Sequence, residues 1–152
     1  MTEGFELGTD GPGVIVVGVD DSVTSLRAGA YAAGLARRQR AKLVVVYVER
    51  LSSMAGAAAP AAPGAVAAES QALHALSDDL RQRALAEAER LGVKLEFIST
   101  QGNPGTEIPR IADEVRADAV VVGASTKAGH RFVGSLAVHL VKLGKWPVTV
   151  VP

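Results

Sequence analysis

Four short runs of mostly β-branched residues constrain this chain more than anything else in it: VIVVGVD (14–20), LVVVYV (43–48), AVVVG (119–123) and WPVTVV (146–151). None alternates apolar with polar residues, so each reads as a strand covered on both faces. Strands of that kind belong to parallel sheets, and parallel strands need long crossovers between them. KLEFIST (94–100) is a fifth strand that alternates more than the others, which places it at a sheet edge.

The segments between the strands read as the helical crossovers. Ser22 is an N-cap for a helix with Leu26, Ala30, Ala33 and Arg37 at helical spacing. Leu73, Leu76, Leu80, Ala84, Ala88 and Leu91 form a stripe on a second helix, which Gly92 ends. Ile108, Ile111, Ala112 and Val115 face inward on a third helix, which starts at Thr106 or, with a bend at Pro109, at Asn103. Gly134 to Gly144 gives a fourth, with Leu136, Leu140, Val141 and Leu143 inward. The β-α-β-α-β-α-β-α-β order means a parallel sheet with helices on both faces. Residues 1–13 read as a flexible arm and 14–152 as one domain. The Ala, Pro and Gly of residues 52–68 read as a mobile insertion in a crossover.

Composition narrows the function. Lys and Arg number 16, as do Asp and Glu, so no global field favours nucleic acid or an anionic membrane. There is no Cys, which excludes thiol catalysis and Cys-ligated metal. The three His have no metal-ligand spacing, and no GxSxG or HExxH occurs. No apolar run reaches the roughly 20 residues of a membrane helix. The expectation is a soluble cytoplasmic protein with no catalytic and no metal-binding residues.

In open parallel sheets, ligands bind beyond the carboxyl ends of the strands, where strand order reverses. That rule points to Asp20–Ser22, the end of the second strand near Val48, and the loop after Gly123. The loop GASTKAGHRFVGS (123–135) joins a strand to a helix. Its glycines allow backbone N–H groups to turn toward an anion, and Gly134 with Ser135 supplies a helix N-terminus and a hydroxyl. The same residues also suit an ordinary sharp connection. Asp20 suits either a ligand contact or the turn before the helix. Neither GxxxxGK[ST] nor GxGxxG after a strand is present.

VGVDDSVTSLRAGAYAAGLARRQRAKLVVVYV, GNPGTEIPRIADEVRADAVVVGA and GSLAVHLVKLGKWPVTVV, in that order, resemble the universal stress protein family over nearly all of Val14 to Val151. The resemblance implies a five-stranded parallel sheet of order 3-2-1-4-5, like that of the adenine nucleotide alpha hydrolases. It implies a homodimer through the last strand, Trp146 to Val151, and a role in stress-response signalling. It also implies ATP, with Mg, held through Gly, two residues, Gly, nine residues, then Gly and Ser or Thr. Gly123, Gly134 and Ser135 match that pattern. Thr126 stands where the second glycine belongs, and the seven residues Lys127 to Val133 leave the loop two short. Gly129 takes over the turn. Asp20 matches the family's adenosine-binding Asp, and Val48 the backbone at the end of the second strand. The alternative is a family member without ATP, acting as a dimeric interaction module. An ATP-pyrophosphatase is disfavoured, since VGVDDS lacks the paired glycines of its SGGxDS loop; at most a slow ATPase is expected.

Overall fold

A computed structural model describes residues 11–50, 63–126 and 134–152. The elements run β1 (Val14–Val19), α1 (Val23–Gln39), β2 (Lys42–Glu49), α2 (Pro63–Leu91), β3 (Leu95–Gln101), α3 (Pro104–Glu114), β4 (Ala119–Gly123), α4 (Ser135–Leu143) and β5 (Val148–Val151). The five strands form one parallel sheet in the order β3-β2-β1-β4-β5. β3 is an edge, as its alternation implies. β5 is the other edge, and the chain order reverses between β1 and β4.

The β-branched runs are continuous because both of their faces are covered. Ile15, Val17, Leu43, Val45 and Val121 look to one side, against Ala28, Ala32 and Ala36 of α1 and Leu80 of α2. Val16, Val44, Val46, Val120 and Val122 look to the other, against Ile108, Ile111 and Ala112 of α3 and Leu140 of α4. Each such side chain, once buried, contributes about 1.5–3 kcal/mol.

Several expectations change, and on α4 Val141 and Leu143, expected inward, are exposed while Leu140 is buried. The inward face of α1 carries Thr24, Ser25, Ala28, Ala32, Ala33 and Ala36, while Leu26 and Ala30 are exposed. This helix lies close to the sheet, and its small residues allow the approach; the larger Leu26 is turned outward. The low-complexity stretch ends sooner than position 68, because α2 already includes residues 63–68. Pro63 is tolerated there as the first helical residue, where its missing N–H has no partner to lose. Residues 51–62 lie outside the described residues, as do 1–10 of the arm. Gly13 is already anchored, its N–H donating to Asp118 Oδ2 at 2.8 Å and its carbonyl accepting from Lys42 N. The last strand begins at Val148; Trp146 and Pro147 precede it, with Trp146 packed beneath α3 and α4 and Lys145 Nζ 5.5 Å from its ring centre.

The third helix begins at Pro104, capped by Asn103, whose Oδ1 accepts from Gly105 N at 2.7 Å. Pro109 therefore stands inside α3 rather than in its first turn. Among the described residues no helix is long and apolar enough to cross a membrane.

Candidate functional site

A crevice of about 960 Å³ opens where the carboxyl ends of β1, β2 and β4 meet the first turns of α1, α3 and α4. Asp20, Asp21, Ser22, Val48, Arg50, Asn103, Gly105, Gly123, Gly134, Ser135 and His139 all line it. The strand-order reversal thus brings together Asp20, Val48, Gly123, Gly134 and Ser135, the described residues that the sequence pointed to for a ligand. Gly129 lies outside the described residues, as do Lys127, His130 and Arg131.

Asp20 is exposed, and its position is fixed by its neighbours. Its N–H donates to Ser25 Oγ at 2.9 Å, and Ser25 Oγ donates back to the Asp20 carbonyl at 2.7 Å. Its Oδ1 accepts from Ser22 N at 2.8 Å, closing the turn. The residue lines the crevice. Ser22 caps α1, accepting from Ser25 N at 3.2 Å. Asp20 therefore shapes the turn with one oxygen, and among the described residues the other has no hydrogen-bond partner.

Val48 offers its backbone. Lys42 N donates to Gly13 O on the β1 side, whereas Leu43 N donates to Lys94 O on the β3 side. Backbone groups alternate sides along a strand, so those of Val48 point toward β1. The β1–β2 ladder ends at Val19↔Tyr47. Val48 thus lies just past the end of β1, with its carbonyl over the crevice. Burial, and then the negative charges of Glu49, Asp21 and Asp20, push the neighbouring Tyr47 hydroxyl above its ordinary value.

The two glycines have local tasks of their own. A Cβ on Gly123 would stand 2.6 Å from Thr24 C and 2.7 Å from Ser25 N. Here the end of β4 touches the backbone of α1, and Thr24 Oγ1 donates to Ala124 O at 2.7 Å across the same contact. Gly134 has φ +84°, in the region that favours glycine, and a Cβ there would lie 3.0 Å from Ser125 Cβ. As N-cap of α4 it has no side chain to accept from the first N–H groups. Asn103 caps α3 and Ser22 caps α1, whereas among the described residues no side chain caps the N-terminus of α4.

Sequence reasoning missed Ser25, which holds Asp20, and the pairing of His139 with Gly105. The second had a readable signal. A Pro inside a helix orphans the carbonyl four residues earlier, and for Pro109 that residue is Gly105.

A model of the universal stress protein family matches residues 13–152. A universal stress protein of Methanocaldococcus jannaschii is 30% identical over 139 residues, covering 90% of this chain and 80% of that one. Among solved structures, a universal stress protein family member from Burkholderia pseudomallei is 25% identical, with a TM-score of 0.69 over 92% of this chain and 96% of that one. A universal stress protein solved in complex with cAMP is 30% identical, with a TM-score of 0.62 over 92% and 96% of the two chains.

Proposed function

The chain belongs to the universal stress protein family, and on that premise we propose that it binds an adenine nucleotide at the carboxyl ends of β1 and β4 and signals in a stress response. One observation carries the reading: the uncapped N-terminus of α4 opens onto the same crevice as the Asp20 carboxylate and the Val48 carbonyl. Asp20 accepts hydrogen bonds from the adenosine, and Val48 holds it by its backbone. The N–H groups that follow Gly134 and the Ser135 hydroxyl take the phosphate, aided by the helix dipole. The cAMP complex of a relative 30% identical supports the ligand class. In the finer reading the ligand is ATP with Mg, and its outer phosphates fall to the loop that contains Gly129. The protein is read as a binding protein rather than a catalyst.

Calorimetric titration of nucleotide-free protein with Mg–ATP and with AMP tests this. Binding near one per chain is expected. Asp20→Ala removes a charge-assisted contact and weakens both ligands by roughly tenfold to a hundredfold. Ser135→Ala weakens AMP but not adenosine. If both variants bind as the wild type does, these residues do not form the site. Absence of binding favours the second reading, a dimeric interaction module. Among the described residues β5 pairs only with β4, which leaves its other edge open, while the neighbouring α4 exposes Val138, Val141 and Leu143. A second copy paired through β5 covers that edge. Sedimentation as a monomer at micromolar concentration counts against it.

A further inference from the structure

Pro109 has no N–H to give to the Gly105 carbonyl, four residues earlier in α3 and on the crevice wall. Another element takes that carbonyl: His139 Nε2 of α4 lies 3.0 Å from Gly105 O. A carbonyl only accepts, so Nε2 carries the proton. The ring lies directly beside Gly105, where a Cβ would stand 3.5 Å from His139 Cδ2, an ordinary contact. Two separate positions thus make one tie: a proline that frees the carbonyl and a histidine that donates to it.

The location of the tie gives it a task. His139 follows Ser135 by one turn and shares its face of α4. α3 and α4 run the same way on the sheet and are joined at both ends. Lys145 Nζ donates to Asp113 Oδ2 at 2.7 Å at the end away from the crevice, and His139 donates to Gly105 at the crevice. Only the second tie bears on the uncapped turn.

We propose that His139 is a positioning residue for the ligand phosphate: through the Gly105 carbonyl it fixes the first turn of α4, and Ser135 with it, against the Asn103-capped first turn of α3. This rests on the nucleotide reading above. Loss of one such hydrogen bond corresponds to about threefold to tenfold in affinity, and it falls on the phosphate and not on the adenosine.

The test is calorimetry of the full chain with AMP and with adenosine, which differ by the phosphate alone. In His139→Leu the ratio of AMP to adenosine affinity is expected to fall by about threefold to tenfold. His139→Gln, whose amide N–H can reach the carbonyl, restores most of the ratio; His139→Asn, one methylene shorter, does not. Lys145→Ala cuts the distant tie and leaves the ratio unchanged. In ligand-free protein, the amides of Leu136 to Val138 exchange faster in the Leu and Asn variants than in the wild type or Lys145→Ala. An unchanged ratio in both the Leu and Asn variants, or an equal fall in Lys145→Ala, overturns the positioning role while the nucleotide reading stands. No binding of either ligand by the wild type overturns the nucleotide reading and the role of His139 with it.

Discussion

Gly123→Ala separates a glycine kept for packing from one kept for a ligand. The added Cβ would sit 2.6 Å from Thr24 C, 2.7 Å from Ser25 N and 2.8 Å from Thr24 O, all of them backbone atoms. No rotamer change can relieve that contact, so the end of β4 and the first turn of α1 must separate. Reaching an ordinary carbon–carbon distance takes a movement of about 0.8 Å. Thr24 Oγ1 and Ala124 O, now 2.7 Å apart across the same contact, would then be near the limit of a hydrogen bond. Overpacking of this kind costs about 1–3 kcal/mol, and the weakened buried hydrogen bond adds about 1 kcal/mol. A loss of about 2–4 kcal/mol is expected. Equilibrium urea unfolding measures it, with ligand absent so that binding plays no part. Gly34→Ala is the matched control. It lies inside α1, where the new Cβ meets only the end of the Arg38 side chain at 3.5 Å, and it should stabilise by about 0.5–1 kcal/mol. If Gly123→Ala unfolds within about 0.5 kcal/mol of the wild type, the close contact is not real, and the glycine must be explained by what the crevice binds.

Further outcomes can be checked on the same protein. Ser22→Ala removes the α1 cap and should cost about 1 kcal/mol in urea unfolding; no change would mean that Asp20 caps in its place. Glu49 is buried and accepts from Ser99 Oγ at 3.3 Å and Gln101 Nε2 at 3.2 Å. Glu49→Ala strands both donors and should cost about 1–3 kcal/mol, with Glu49→Gln milder; equal effects would refute the hydrogen-bond account. Hydrogen bonds from Arg110, and next from Thr100, hold the Glu107 carboxyl below its ordinary value. Its folded-state pKa is depressed, so its contribution to stability is present above the ordinary carboxylate range and is lost as pH falls through the lowered value. A carbon-13 NMR titration should show the Glu107 midpoint rise in Arg110→Ala, and an unmoved midpoint refutes that cause.

The strands were legible because burial on both faces writes itself into a continuous β-branched run. The crossover order then left few topologies, and the alternation in KLEFIST identified the edge strand β3. The inward face of α1 was not legible, because apolar size is a poor guide where a helix lies against the sheet through Ala28, Ala32 and Ala36 while Leu26 points outward. The start of α3 stayed open because Pro109 is disfavoured inside a helix, and the partner that makes it tolerable is supplied 34 residues away by His139. Pro109 marks the orphaned carbonyl, but nothing in local spacing says which distant residue donates to it.

The site shows how far a glycine pattern can be read as a binding signal. Gly123 is required by contact with the α1 backbone, and Gly134 by its positive φ beside Ser125, whether or not a ligand is present. Each would be glycine in a protein of this fold with an empty crevice, so neither is diagnostic. The residues that do discriminate are those whose local structure leaves something over. Asp20 uses one carboxylate oxygen on the turn and keeps the other. Ser135 is exposed at the uncapped end of α4, and among the described residues its hydroxyl has no hydrogen-bond partner. Folding alone does not explain a serine there, since no side chain caps the helix at that end. Its replacement by Ala should leave urea unfolding within about 0.5 kcal/mol of the wild type while weakening AMP. A loss of stability without a loss of AMP would reverse the argument and make Ser135 one more residue kept for the fold.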